Sequence, residues 1–587
     1  MWKKTFALYL LLTVVGGGAS AAVNVPETQL QFMPRHMKTE FLALQNVDFK
    51  EAASVNDSES VMGWKLSSSM DEVHMAEGRN GGKSVFLAGG VNDEGEPREI
   101  YQDIELKSLQ PTPLTISVSA WVWSNMPGGA NLKLSGLKGG GHEALSAFHS
   151  GNSEWEYLTV VYPYEQWPEA LRISLQSSRG VARFTEVKAL ATHDDRFVKA
   201  LPDGCNPLRE RVTYAKDGRI RIVVVGNSTV NGHAVADKRA SFPYVLQLKL
   251  ESLFPGRFEV INFGLCGWHL PPQITTLDKA FNSNKACDGA VWCGGKDGQF
   301  SHKNVLAMEQ NADNNTPTIS ELKPDVIIFA GMWNDVWRAL KYTGWGIPPN
   351  PDEVNRVGGE PASVEYLRAV LNYADHPTEE NYRQAEKTFE MAMRPLDSSV
   401  TSALQLRDYA SLRNSAEFQR LVENASTKLA YLSEEFIRRA QQYGQVWAMT
   451  LPGRFGDAYG DAAKKLRAGG QLPAEGFDKF LMNGYIDAVT ERIQNVEVTR
   501  VSKELGAKSL NLSDVFHAEY GAMPISEQLS LGYFLAGIED NVHFAYRGNE
   551  WIADRAFLGF LDELNRLSGS IEHSLPANDR IGELLVR

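Results

Sequence analysis

Cysteine is scarce in this chain, with four in 587 residues (Cys205, Cys266, Cys287 and Cys293), and nowhere do two of them stand as a C-x-x-C pair. That spacing excludes a structural zinc site of the usual kind. Basic residues are also outnumbered: 59 Lys and Arg face 72 Asp and Glu, a formal charge of -13. Without a basic cluster, neither a nucleic acid nor an anionic membrane is expected as a partner. Internal repeats and low-complexity tracts are absent. The only long apolar run, Thr5 to Val15, is too short to cross a bilayer.

That run is informative in its context. Met1-Trp-Lys-Lys precedes it, and Gly-Gly-Gly followed by Ala19-Ser-Ala21 closes it, the three-part layout of a secretory signal. Residues 1–21 are therefore expected to be removed, leaving no membrane span and a secreted or periplasmic protein. Loss of Lys3 and Lys4 would take the formal charge to about -15. In an exported chain the cysteines become candidates for disulfides, and Cys287 with Cys293 is the expected pair, enclosing Asp-Gly-Ala-Val-Trp.

The length implies at least two cores. From 40 to 198 the pattern is short alternating segments such as Leu114 to Trp123, broken by glycine pairs, which reads as an all-β jelly-roll sandwich. This part resembles carbohydrate-binding modules, through Gly63-Trp-Lys-Leu and Ala120-Trp-Val-Trp. Trp121, Trp123 and Trp155 suit either sugar stacking or core packing. After a Pro/Gly-rich connector near 200, residues 208–570 alternate strand and helix patterns, the signature of an α/β fold with a parallel sheet. Helices are expected at 242–254, 272–281, 426–443, 483–505 and 549–567, and strands at 222–225, 257–263, 325–330, 445–451 and 507–512. Residues 282–321 read as a loop over the strand ends and 337–424 as a helical insertion.

The apolar run Ile222 to Val225 ends in Gly226-Asn227-Ser228, which delivers one hydroxyl at the carboxyl end of a buried strand. A serine needs a base to take its proton and an acid to orient that base. Asp540-Asn-Val-His543 supplies both ahead of the last helical pattern. Acyl transfer further needs donors for the developing oxyanion. Gly267, in Asn262-Phe-Gly-Leu-Cys-Gly, offers a backbone N–H, and Asn334, in Gly331-Met-Trp-Asn-Asp, an amide.

Together these blocks resemble the SGNH hydrolase superfamily, also called GDSL-type esterases and lipases. The resemblance implies a flavodoxin-like three-layer domain, a Ser228-His543-Asp540 triad, and an oxyanion hole of Ser228, Gly267 and Asn334. It needs no metal or other cofactor. Two departures stand out: Asn227 replaces the family's aspartate, and Gly331 lies one position early, with Met332 and Trp333 expected to narrow the acyl pocket. Trp268, His269, Trp333, Trp337 and Arg338 follow these blocks and are candidate sugar-site residues. The expected activity is a serine esterase removing O-acyl groups, above all O-acetyl, from an acylated polysaccharide. The alternatives are an O-acetyltransferase of the cell envelope and a glycan-binding protein without turnover. The oligomeric state is left open.

Overall fold

A computed structural model describes residues 38–50, 60–61, 63–67, 73–92, 95–106, 115–137, 141–162, 168–193, 218–232, 235, 240–264, 270–278, 318–341, 364–392, 409–472, 474–534 and 542–569. The expected signal segment, Asp540, Gly267, Trp268, His269, all four cysteines and much of the 282–321 and 337–424 segments lie outside them.

The N-terminal part is built of two antiparallel sheets. One has the order β10 (Trp155–Tyr162), β7 (Thr115–Ser124), β12 (Val181–His193), β5 (Lys83–Ala88), β4 (Val73–Glu77), with β1 (Lys38–Phe41) also on β12. The other runs β2 (Ser60–Val61), β3 (Trp64–Leu66), β6 (Arg98–Glu105), β11 (Ala170–Ser177), β8 (Ala130–Leu137), β9 (Glu143–Leu145). Alternation decides which side chains they share. Ile116, Val118, Ala120 and Val122 of β7 meet Leu132, Leu134, Leu171, Ile173 and Leu175 of the opposite sheet in one apolar core.

The C-terminal part holds a five-stranded parallel sheet of order β14 (Phe258–Gly264), β13 (Ile220–Gly226), β15 (Val326–Ala330), β16 (Gln445–Thr450), β17 (Lys508–Asn511). Counted along the chain that is 2-1-3-4-5, so the connections leave β13 in opposite directions. Such a switch point opens a crevice at the carboxyl ends of the strands. The apolar run of β13 is fully buried because both faces are covered. Val223 and Val225 pack with α4 (Trp333–Lys341), α5 (Ala416–Ala440) and α6 (Ala474–Glu504), while Ile222 and Val224 pack with α2 (Phe242–Leu253), α8 (Tyr546–Gly559) and α9 (Leu561–Ser568). Each such valine or isoleucine contributes about 1.5–3 kcal/mol. At the opposite, amino edge, Arg221 is buried against Glu259 at 2.8 Å.

Four helices differ from the sequence expectation: α5 starts at Ala416 rather than 426, the helix expected at 272–281 spans Leu270–Thr275, and two more differ as follows. α6 starts at Ala474 rather than 483 and runs through Gly484, whose missing side chain admits the Tyr459 ring: a Cβ there would lie 2.9 Å from it. The single helix expected at 549–567 is two, broken at Phe560, whose φ of -107° and ψ of 9° leave the helical region. The insertion is helical where described, at Val364–Asp375, Glu379–Ala392 and Tyr409–Asn414, followed directly by α5.

Candidate active site

Glycine ends β13 because nothing else fits. A Cβ on Gly226 would lie 2.1 Å from the Ala330 carbonyl oxygen and 2.3 Å from Val230. The chain then turns at Asn227, whose side-chain oxygen accepts from Thr229 N–H at 3.2 Å and so caps the one-turn helix α1 (Ser228–Asn231). Gly232, at φ 75°, ends that helix after a single turn. Ser228 thus occupies the first helical position, where its own N–H has no intrahelical carbonyl available. The residue is only 8% exposed.

His543 reaches this serine from the far end of the chain. Ser228 Oγ and His543 Nε2 are 2.9 Å apart, although the two residues are 315 positions apart in sequence. The chain just after the histidine is anchored at several points. Phe544 forms an antiparallel bridge to Phe534, and Ala545 N–H donates to the Tyr533 carbonyl at 2.9 Å. Asn549, buried in α8, donates to the carbonyls of Phe544 and Ala545 and accepts from Phe242 N–H at 3.0 Å, tying the histidine segment to the start of α2. No motif marked Asn549; its only trace in the sequence is an amide six residues after the histidine.

The neighbouring strand ends are fitted to the same turn. Gly264 lies level with Gly226, and its missing Cβ would sit 2.2 Å from Asn231 N. Asn262 accepts from Gly264 N–H at 2.9 Å, and Asn231 donates to the Gly264 carbonyl at 3.0 Å. Where the described chain resumes, both carboxylate oxygens of buried Asp335 accept Leu270 N–H, at 3.0 and 3.1 Å. Asp335 therefore ties the start of α3 (Leu270–Thr275) to the helix that carries Asn334. Asn334 itself is half-buried at the second position of α4.

Met332 is 2% exposed and belongs to the apolar layer with Leu270, Ile274 and Val336. Trp333 is buried too, against the backbone of Gly453 after β16. Trp337 and Arg338 follow on α4. Of the three sandwich tryptophans, Trp121 is fully buried with Arg79 3.9 Å above its ring and Tyr157 at 5.0 Å, while Trp123 donates to the Ser153 carbonyl at 2.6 Å.

A second polar cluster lies after β16 and β17. On α7 (Leu512–Tyr520), Ser513 Oγ and His517 Nε2 both bond the buried carboxylate of Glu491, the histidine at 2.8 Å. Burial would lower the pKa of His517, but its bond to Glu491 and the charges of Glu491, Asp514 and Asp457 raise it above the ordinary value. Among the described residues no group of three or more His, Cys, Asp or Glu could hold a metal ion, and no helix is long and apolar enough to cross a membrane.

No family model and no curated protein matches the sequence. Among solved structures, the chain is similar to a lipase/acylhydrolase from Enterococcus faecalis, with 11% identity over 60% of this chain and 96% of that one and a TM-score of 0.22. It is also similar to a salicylyl-acyltransferase of a tetracycline biosynthetic pathway, with 9% identity over 79% and 83% and a TM-score of 0.21. It is similar as well to a CBM22-1 xylan-binding domain from Paenibacillus barcinonensis, with 15% identity over 25% of this chain and 90% of that one and a TM-score of 0.19. Likenesses of this size leave the chemistry to be argued from the site.

Proposed function

We propose that this protein is a serine esterase that removes O-acyl groups, above all acetyl, from a polysaccharide, on a flavodoxin-like three-layer domain of the SGNH type. The observation that carries the reading is the 2.9 Å approach of Ser228 Oγ to His543 Nε2 at a sheet switch point. A hydroxyl and an imidazole brought together from 315 residues apart, by an N-cap on one side and a strand bridge on the other, are a nucleophile and its base.

In this reading Ser228 Oγ attacks the ester carbonyl carbon while its proton passes to His543 Nε2. Asp540, three residues ahead in sequence, holds the other ring nitrogen and stabilises the imidazolium. The carbonyl oxygen, now negative, is held by the N–H of Ser228, the N–H of Gly267 and the amide of Asn334. The tetrahedral intermediate collapses, the C–O bond to the sugar breaks, and His543 returns the proton to the departing sugar oxygen. Water then attacks the acyl-serine, gives a proton to His543, and releases the carboxylic acid as the serine is restored.

Export by the 1–21 segment and the sandwich at 40–198 support a polysaccharide as the substrate. The test is acetate release from a chromogenic acetyl ester and from a panel of acetylated polysaccharides, by the wild type and by Ser228→Ala. Turnover lost in the variant supports the reading. Equal inertness of both overturns it, and acetyl transfer to an added glycan in place of free acetate would make the protein a transferase.

A further inference from the structure

The sheet face that carries Trp121, Tyr157 and Val161 does not look outward. These residues share an apolar cluster with Val245, Leu248, Trp551 and Phe557 of α2 and α8. The contact runs along β10, the edge strand of its sheet, whose outward backbone groups have no further strand to pair with. Charged side chains of the catalytic part take the place of that strand. Glu550 of α8 accepts the N–H of Val161 at 3.1 Å. Lys249 of α2 donates to the Tyr157 carbonyl and to Thr159 Oγ1, and also meets Asp554 of α8 at 2.5 Å. Arg555 of α8 meets Glu156 of β10 at 2.9 Å, and Glu519 of α7 at 2.7 Å. Lys249, Asp554, Glu156 and Arg555 are all 5% exposed or less.

α8 begins three residues after His543, and Asn549 on it holds the backbone that follows the histidine. Glu550, the next residue, is the one that grips the sandwich. We propose that the N-terminal sandwich is a fixed part of the catalytic unit: its edge strand β10 holds α8, and through α8 it sets His543 at Ser228. Glu550, Lys249 and Glu156 are then positioning residues, and the sandwich face bearing Trp121 and Tyr157 serves the catalytic part rather than a glycan. The inference rests on the esterase reading for its kinetic readout alone.

The test uses the full-length chain with Glu156→Gln and Thr159→Val, both on the sandwich side, against Leu132→Ala in the sandwich core as a control for plain loss of stability. On a small acetyl ester, which needs no glycan binding, both interface variants are expected to lose tenfold or more in kcat at unchanged KM, while the control keeps its kcat despite a lower Tm. Hydrogen exchange supplies a readout independent of turnover: amides of 542–559 should exchange tenfold faster or more in the interface variants than in the control. Interface variants with normal kcat and normal exchange at 542–559 overturn the proposal. A wild type without turnover, whose 542–559 amides still respond to Glu156→Gln, overturns the esterase reading and leaves the domain coupling standing.

Discussion

Gly331 faces Asn227 so closely that a Cβ on the glycine would stand 2.9 Å from the asparagine Oδ1. These are the two positions at which the sequence differs from the motifs it resembles, and they face each other. Gly331 turns at φ 77°, a region where an L side chain costs about 1–2 kcal/mol, and that turn lays the chain after β15 over the cap of α1. The departures are therefore a matched pair. Gly331→Ala should destabilise by about 1–3 kcal/mol and Asn227→Ala by about 0.5–2 kcal/mol through the lost cap. Because removing Oδ1 also removes the clash, the double variant should fall short of the sum by about 0.5 kcal/mol or more in urea unfolding. Strict additivity would separate the two positions.

Glycines at the strand ends should rank by what surrounds them. Gly226→Ala meets a backbone carbonyl at 2.1 Å that cannot rotate away, and is expected to cost about 3 kcal/mol or more, with loss of activity. Gly256→Ala, at φ 69° but in open space, should cost only about 1 kcal/mol and keep activity. Unfolding midpoints measured side by side check the order.

Ser228→Ala and His543→Ala are each expected to lower kcat on an acetyl ester by about 10⁴- to 10⁶-fold, with the fold intact by circular dichroism. In the proposed mechanism the two side chains act as a unit, so the double variant should be scarcely worse than either one. Multiplying losses would mean that they act separately.

Asn334→Ala should lower kcat by about 10²- to 10³-fold at nearly constant KM, as expected of a donor used mainly in the transition state. Asp335→Ala removes the acceptor of Leu270 N–H and leaves that buried donor unpaired, a cost of about 1–3 kcal/mol. Its damage should show in stability first, and Asp335→Asn, which keeps one acceptor oxygen, should recover most of it.

Stability should decline as the solution becomes alkaline. His517 has a folded pKa raised above the unfolded value of about 6.5, so its contribution is complete below that value and is lost as pH rises through the raised one. Glu519, pushed up to about 7 chiefly by burial, has the same sign at lower pH: its contribution is complete below the ordinary value of 4.5 and is lost as pH rises to about 7. Wild-type Tm should drop between pH 6 and 9. His517→Gln should show a smaller drop over that interval, and equal slopes would discard the assignment.

Much of this was written locally. The Val-rich run ending in Gly226-Asn227-Ser228 specifies a buried strand, a stop and an N-capped hydroxyl through contacts within a few residues, so it could be read without coordinates. The alternation of apolar residues likewise marks a β-rich half and an α/β half. Helix boundaries were less legible, since Gly484 lies inside a helix beside the ring of Tyr459, a neighbour remote in sequence.

Which long-range partners meet was decided only by the tertiary structure. The sequence by itself placed a serine at a strand end and a histidine before the last helix. The folded sheet brought them to 2.9 Å, buried Met332 in a helix layer, set Gly331 against Asn227, and turned Trp121 toward the α/β part. The physical reason is range. Capping, backbone freedom and apolar periodicity act within about one helical turn or one strand and leave a local signature, whereas the burial of a shared face and the pairing of charges across it depend on partners that periodicity cannot name.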